Sequence, residues 1–209
     1  MSIALLTAGG CVIMTTTPTN KTIFVDLIRE IKDNIREMDA TPHQPPAIVQ
    51  KAEKPAATNV LNQQAITNAY IVIATLYGEA RGEGEAGMQA VLNVLMNRAK
   101  NDLSKVKGLA LAPKQFSMWN DVKDPATFAI NLGKQVRDKE IQGTDKAMYL
   151  KAAGLVDQAM KGTLKDIIGG AQFYFNPSIV LPSWAKKMKK TASIGHHDFY
   201  KLLPPPKKK

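Results

Sequence analysis

Cysteine is all but missing from this sequence. Cys11 stands alone, so no disulfide can form within the chain and no cysteine-built metal site can assemble. Histidine is scarce too. With only His43, His196 and His197, a zinc enzyme would need an unusual ligand set, and neither a metal nor another cofactor is expected. Aromatic residues make up 6%, so the core has to rest on Ala, Leu, Ile, Val and the nine Met. No window approaches the roughly 18 apolar residues of a membrane-spanning helix, so no stable span is expected. There is no nucleic-acid-binding motif and no basic stripe interleaved with aromatics, so nucleic acid is not an expected partner. The first eleven residues lack a basic start, their apolar stretch is broken by Gly9 and Gly10, and Ala8 stands where a lipobox carries Leu. A processed leader is therefore not the expectation, and Met1 and Met14 both stay open as the start.

The 209 residues are enough for one good-sized domain with extensions. The formal charge of +10 is unevenly placed. Residues 1–64 hold six basic and six acidic side chains, whereas residues 65–209 hold twenty-two and twelve and carry the whole excess. A basic domain is drawn to polyanions by long-range attraction, and charge alone does not choose among nucleic acid, anionic membrane and the bacterial envelope.

Along the chain, Ile23, Leu27, Ile28, Ile31, Ile35 and Met38 recur at steps of three and four. They predict an amphipathic helix within an N-terminal extension spanning 1–40. A short lone helix is marginal in water, so it docks either on its own domain or on a partner. Residues 41–62, with Pro42, Pro45, Pro46 and Pro55 among Ala, Gln and Lys, read as a semi-extended linker. A domain follows over 63–203, and Pro204 to Lys209 form a solvated basic tail. Helical patterns cover about 64–78, 85–99, 125–138 and 144–161, the last stopped by Gly162. From Ala171 to Asn176 the period changes to two, with Ala171, Phe173 and Phe175 opposite Gln172, Tyr174 and Asn176. That is a short strand, pairing with a later one near His197–Tyr200. The expected fold is mainly α with a small β element.

Chemistry concentrates where the first two strong helices meet. Tyr77-Gly-Glu-Ala-Arg-Gly-Glu-Gly-Glu85 places three glutamates among glycines at 78, 82 and 84, and so many glycines predict a turn. Glu79 then lies at the C-terminal end of an apolar helix. Unpaired carbonyls and partial burial there both disfavour its anion and raise its pKa, as a general acid requires. A charged, glycine-rich link between helices is ordinarily only a solvated turn, and spacing alone leaves both readings standing.

The same residues carry a resemblance. Tyr77-Gly-Glu-Ala-Arg-Gly-Glu83, Gly87-Met-Gln-Ala-Val91, Asn97-Arg98, Gln115-Phe-Ser-Met-Trp119, Gly170-Ala171, Trp184-Ala185 and Thr191-Ala-Ser-Ile-Gly-His-His-Asp-Phe-Tyr200 follow one another over residues 66–200. Together they closely resemble the catalytic domain of the SleB-like cell wall hydrolases, which include spore-cortex-lytic enzymes and phage-borne relatives. The resemblance implies a mainly α, lysozyme-like and lytic-transglycosylase-like fold that acts on peptidoglycan without a cofactor. By motif position Glu79 is the acid and base. It would serve cleavage between N-acetylmuramic acid and N-acetylglucosamine, with the muramic 6-hydroxyl attacking to leave a 1,6-anhydro end.

Gln115, Ser117, Tyr174 and Trp184 are carried over as cleft residues. Glu83, Asn176 and His196 join the substrate-binding set, although the role of Glu83 is left open and a turn role suits His196 equally. Trp119 and Phe173 are expected in the core. Relatives commonly have a histidine after the Gly170-Ala171 block, where this chain has Gln172 and Asn176. Lys186, Lys187, Lys189 and Lys190 read as a face touching an anionic polymer or as a solvated helix surface.

The expected site of action is the bacterial envelope or periplasm. The unusual extension points to phage origin, as an endolysin waiting in the host cytoplasm or as a virion component docked through the N-terminal helix. The alternative is a phage structural or adaptor protein that keeps the fold without activity.

Overall fold

The computed structural model describes residues 57–203, so the expected helix at 23–38, most of the expected linker and the tail lie outside the described residues. Helix α1 (Ala57–Ala80) begins earlier than the sequence pattern implies, taking residues 57–62 from the linker. After a 3-10 turn (Arg81–Glu83) come α2 (Gly84–Arg98), α3 (Leu103–Ala110), a second 3-10 turn (Ser117–Trp119), α4 (Pro125–Arg137) and α5 (Gly143–Lys161). The chain then enters β1 (Phe173–Phe175), a third 3-10 turn (Ser183–Lys187), β2 (Met188–Ile194) and β3 (His197–Leu202). The mainly α fold with a small β element is what the sequence leads one to expect.

Helix α1 is the axis of the body. A surface helix buries one stripe, whereas Ile71 to Tyr77 are all buried, so the helix is enclosed on every side. Helices α2, α3, α4 and α5 pack around it. Gly133 lets α4 come close, since a Cβ there would overlap the Tyr70 ring and lie 3.0 Å from the Tyr149 hydroxyl. The capping chemistry is local. Asp102 accepts from the Ser104 N–H at the start of α3, Asp124 accepts from the Thr127 N–H at the start of α4, and Gly162 closes α5 in the left-handed region at φ 70°.

The three strands form an antiparallel sheet in the order β1-β3-β2. Its inner face, with Phe199 and Ala192, packs on Ala90 and Val94 of α2. The pairing of β1 with β3 is as expected, with Tyr174 opposite Phe199. Strand β2 is a correction, because the Lys-rich run is a turn followed by a strand and not a helix surface. A register shift between Lys190 and Ala192 breaks the alternation that would have announced it.

Candidate active site

Glu79 occupies the last turn of α1, half-buried, where the 3-10 turn of residues 117–119 crosses the helix. Two features hold that turn down. The Trp119 indole N–H donates to the Thr75 hydroxyl at 3.1 Å, and that hydroxyl donates to the Ile71 carbonyl at 2.7 Å. Gly78 leaves room for Met118, whose sulfur a Cβ at position 78 would overlap. The result places two donors at Glu79 Oε1, the Ser117 hydroxyl and the Met118 N–H, each at 3.4 Å. These are long contacts for hydrogen bonds. No protein group among the described residues bonds to the other oxygen.

Tyr174 comes in from β1. Its ring stacks on Phe199 at 5.6 Å and meets His197 edge-on at 5.1 Å. Burial pushes its phenol pKa well up, the Glu79 charge adds to that, and Arg98 acts against it, so both charges lie within electrostatic reach of the hydroxyl. Arg98, at the end of α2, ties three segments together. It donates to the Gln172 carbonyl and to the Gln115 side chain at 2.6 Å each, and its guanidinium lies 5.4 Å from the centre of the Phe173 ring. Burial lowers its pKa from the ordinary arginine value.

Glu83 sits four residues after Glu79 and is fully engaged. Its Oε2 accepts the His196 backbone N–H at 2.9 Å and its Oε1 lies 2.8 Å from His196 Nδ1. The side-chain hydrogen bond with His196 is the main reason its pKa falls below the usual carboxylate value. Arg81, between the two glutamates, lies over the Tyr77 ring at 4.9 Å and pairs with Asp145 at 3.5 Å. Among the described residues, no group of three or more His, Cys, Asp or Glu could hold a metal ion. No described helix is long and apolar enough to cross a membrane.

A family model described as Cell Wall Hydrolase matches residues 82–200. The chain belongs to the cell wall hydrolase family. The spore cortex-lytic enzyme of Halalkalibacterium halodurans is 29% identical over 145 residues, covering 68% of this chain and 37% of that protein. The spore cortex-lytic enzyme of Bacillus cereus is 29% identical over 146 residues, covering 69% and 48%. The chain thus spans less than half the length of these curated relatives. Among solved structures, the catalytic domain of the germination-specific lytic transglycosylase SleB from Bacillus anthracis is 28% identical. That match has a TM-score of 0.43 and covers 65% of this chain and 94% of that one.

The family match starts at Gly82, so Glu83 and His196 fall inside it and Glu79 stands three residues ahead. The structure sets Ser117 against Glu79 with Tyr174 within electrostatic reach, and Arg98 holds Gln115 beside the Gln172 carbonyl. Glu83 and His196 meet each other. Asn176 serves its own loop, its side chain accepting from the Ser178 N–H at 2.9 Å and its carbonyl from Ile179 and Val180.

Trp184 is on the other side of the sheet. It packs on Phe173, Phe175 and Tyr200 at 5.5 to 5.8 Å, and alternation along β1 points those rings away from Tyr174. Trp119 is buried as expected, while Phe173 is only partly covered. A cavity of about 330 Å³ lined in part by Asn93, Asn101 and Asp166 includes none of the residues around Glu79. Arg98 and the Met118 N–H are the site groups that residue-by-residue reading passes over. Arg98 was visible inside the Asn97-Arg98 block, but a backbone donor leaves no mark on a sequence.

Proposed function

We propose that this cell wall hydrolase cuts peptidoglycan glycan strands between N-acetylmuramic acid and N-acetylglucosamine, as a lytic transglycosylase with Glu79 as its single acid and base. The observation that carries the reading is the state of Glu79. It is a half-buried carboxyl with one oxygen loosely held and the other open to a ligand, with the partly buried Tyr174 within electrostatic reach. Protonated, Glu79 gives its proton to the glycosidic oxygen as the bond to the muramic anomeric carbon breaks. The muramic 6-hydroxyl then attacks that carbon and returns its proton to Glu79, leaving a 1,6-anhydro end and a free N-acetylglucosamine hydroxyl. Two-carboxylate glycosidases keep a second free carboxylate for a water or for covalent attack. The nearby candidate here, Glu83, is occupied by His196, which favours the single-carboxyl route.

The family description and the names of the spore cortex-lytic relatives support a wall substrate. The exposed Lys186, Lys187 and Lys189 suit a negatively charged envelope polymer. The reading extends to phage origin, with action at the bacterial envelope after release from a virion or from the host cytoplasm. Under it, the segment 23–38 docks on a phage structural protein, and removal of residues 1–40 releases the chain from particles without loss of wall cleavage.

Digestion of purified peptidoglycan by the wild type and by Glu79→Gln, with mass spectrometry of the released muropeptides, tests the chemistry. Anhydro-ended products from the wild type alone are expected. Reducing ends would replace transglycosylation by hydrolysis, equal release by both proteins would remove Glu79 from the role, and no release by the wild type would overturn the enzyme reading.

A further inference from the structure

We infer that Glu83 is a positioning residue which clasps the β2–β3 turn through His196, and thereby sets Tyr174 beside Glu79 without itself touching the glycan. The inference rests on the reading of Glu79 as the acid.

Space is the first argument. The Glu83 stem runs over the first turns of α2, where a Cβ on Gly87 would overlap its own Cβ. Its head enters the turn at Gly195, where a Cβ would overlap Oε2. Two glycines from distant parts of the chain are therefore needed to seat one side chain. Gly195 also adopts φ +56°, a left-handed conformation that glycine alone takes at little cost.

Saturation is the second. Both carboxylate oxygens are bonded to His196, and the Glu83 side chain is 15% exposed while that of His196 is 73% exposed. The histidine reaches in from solvent to the glutamate, so each carboxylate oxygen already has a protein partner. The lowered pKa of Glu83 follows chiefly from that bond to His196.

The clasp also connects to Tyr174 through β3. His197 follows His196 directly and starts β3, with its ring edge-on to Tyr174 at 5.1 Å. Tyr174 pairs with Phe199 across the sheet and packs on the helical core. A turn that comes off Glu83 takes His197 with it and removes one wall of the tyrosine's pocket.

The test uses the full chain and soluble glycan strands, with initial rates over a range of concentrations and amide hydrogen exchange across residues 195–199. Glu83→Ala is expected to lower kcat by about tenfold to a hundredfold, as a small misplacement of catalytic groups does, with KM changed less than about threefold. Exchange at 195–199 is expected to accelerate. Glu83→Gln keeps an oxygen for the His196 N–H and is expected to recover most of the rate. A rise in KM with kcat unchanged would make Glu83 a glycan ligand and overturn the inference. Unchanged exchange at 195–199 in Glu83→Ala would also overturn it. If Glu79→Gln retains full activity, the reading of Glu79 fails by itself, while the exchange result still decides the clasp.

Discussion

Glu79 and Glu83 lie four residues apart on neighbouring turns, yet their surroundings differ in kind. Glu79 receives two contacts of 3.4 Å from a turn that leans on α1, and its second oxygen is unclaimed by the described protein. Glu83 has both oxygens bonded at 2.8 and 2.9 Å, in a slot built from two glycines. A carboxyl that must give up and regain a proton against a substrate needs vacant lone pairs and only light guidance. One that holds two parts of a fold together needs a short bond on each oxygen. The motif thus contains one loosely held carboxylate and another bound into the fold, and residue type does not distinguish them.

The contrast breaks first at Glu79. Glu79→Gln is expected to cost about 10²–10⁴-fold in turnover, the usual contribution of a general acid, while the unfolding midpoint stays close to that of the wild type. A midpoint drop matching the lost activity would erase the distinction between the two glutamates. Gly195→Ala attacks the clasp from its other side. Left-handed strain and overlap with the Glu83 head together should destabilise by roughly 2–4 kcal/mol in denaturant unfolding.

Acid titration sharpens the comparison next. Because the folded-state pKa of Glu83 is lowered from 4.5, its stabilising contribution is present above that value and is lost as pH falls through the lowered one. Protection of residues 195–199, taken relative to the intrinsic exchange rate at each pH, should therefore fall below about pH 4.5 in the wild type, and Glu83→Gln should remove that component. The smallest change is expected at Lys190, which pairs with Asp198 at 2.6 Å while remaining about half exposed. Lys190→Gln should alter stability by no more than about 1 kcal/mol and leave cleavage intact.

How much of this could be read in advance varies with distance along the chain. Helices α2, α4 and α5, the end of α5 at Gly162 and the β1–β3 pairing follow from local period and stop signals, all of which act within a few residues. Helix α3 went unread because its eight residues show little more than one apolar turn. Strand β2 was hidden by its lysines and its bulge. The position of Glu79 on α1 was legible, as was the company of Ser117 and Tyr174 through the family motifs. The motifs group Trp184 with them although it packs behind the sheet, because a motif records that a residue recurs and not which face it occupies. The bond between Glu83 and His196 had no local signal at all, apart from two glycines whose reason appears only when the ends meet.

That bond joins positions 113 residues apart. Closing so long a loop is entropically costly, and contacts of this kind form late in folding, after local helices. During synthesis the helices that carry Glu79 emerge and pack well before His196 exists. A ribosome-bound fragment ending short of the turn would have Glu79 in place and would lack the His197 wall beside Tyr174. Under the proposed role of Glu79, the chain's last strands would set the moment at which it becomes able to cut.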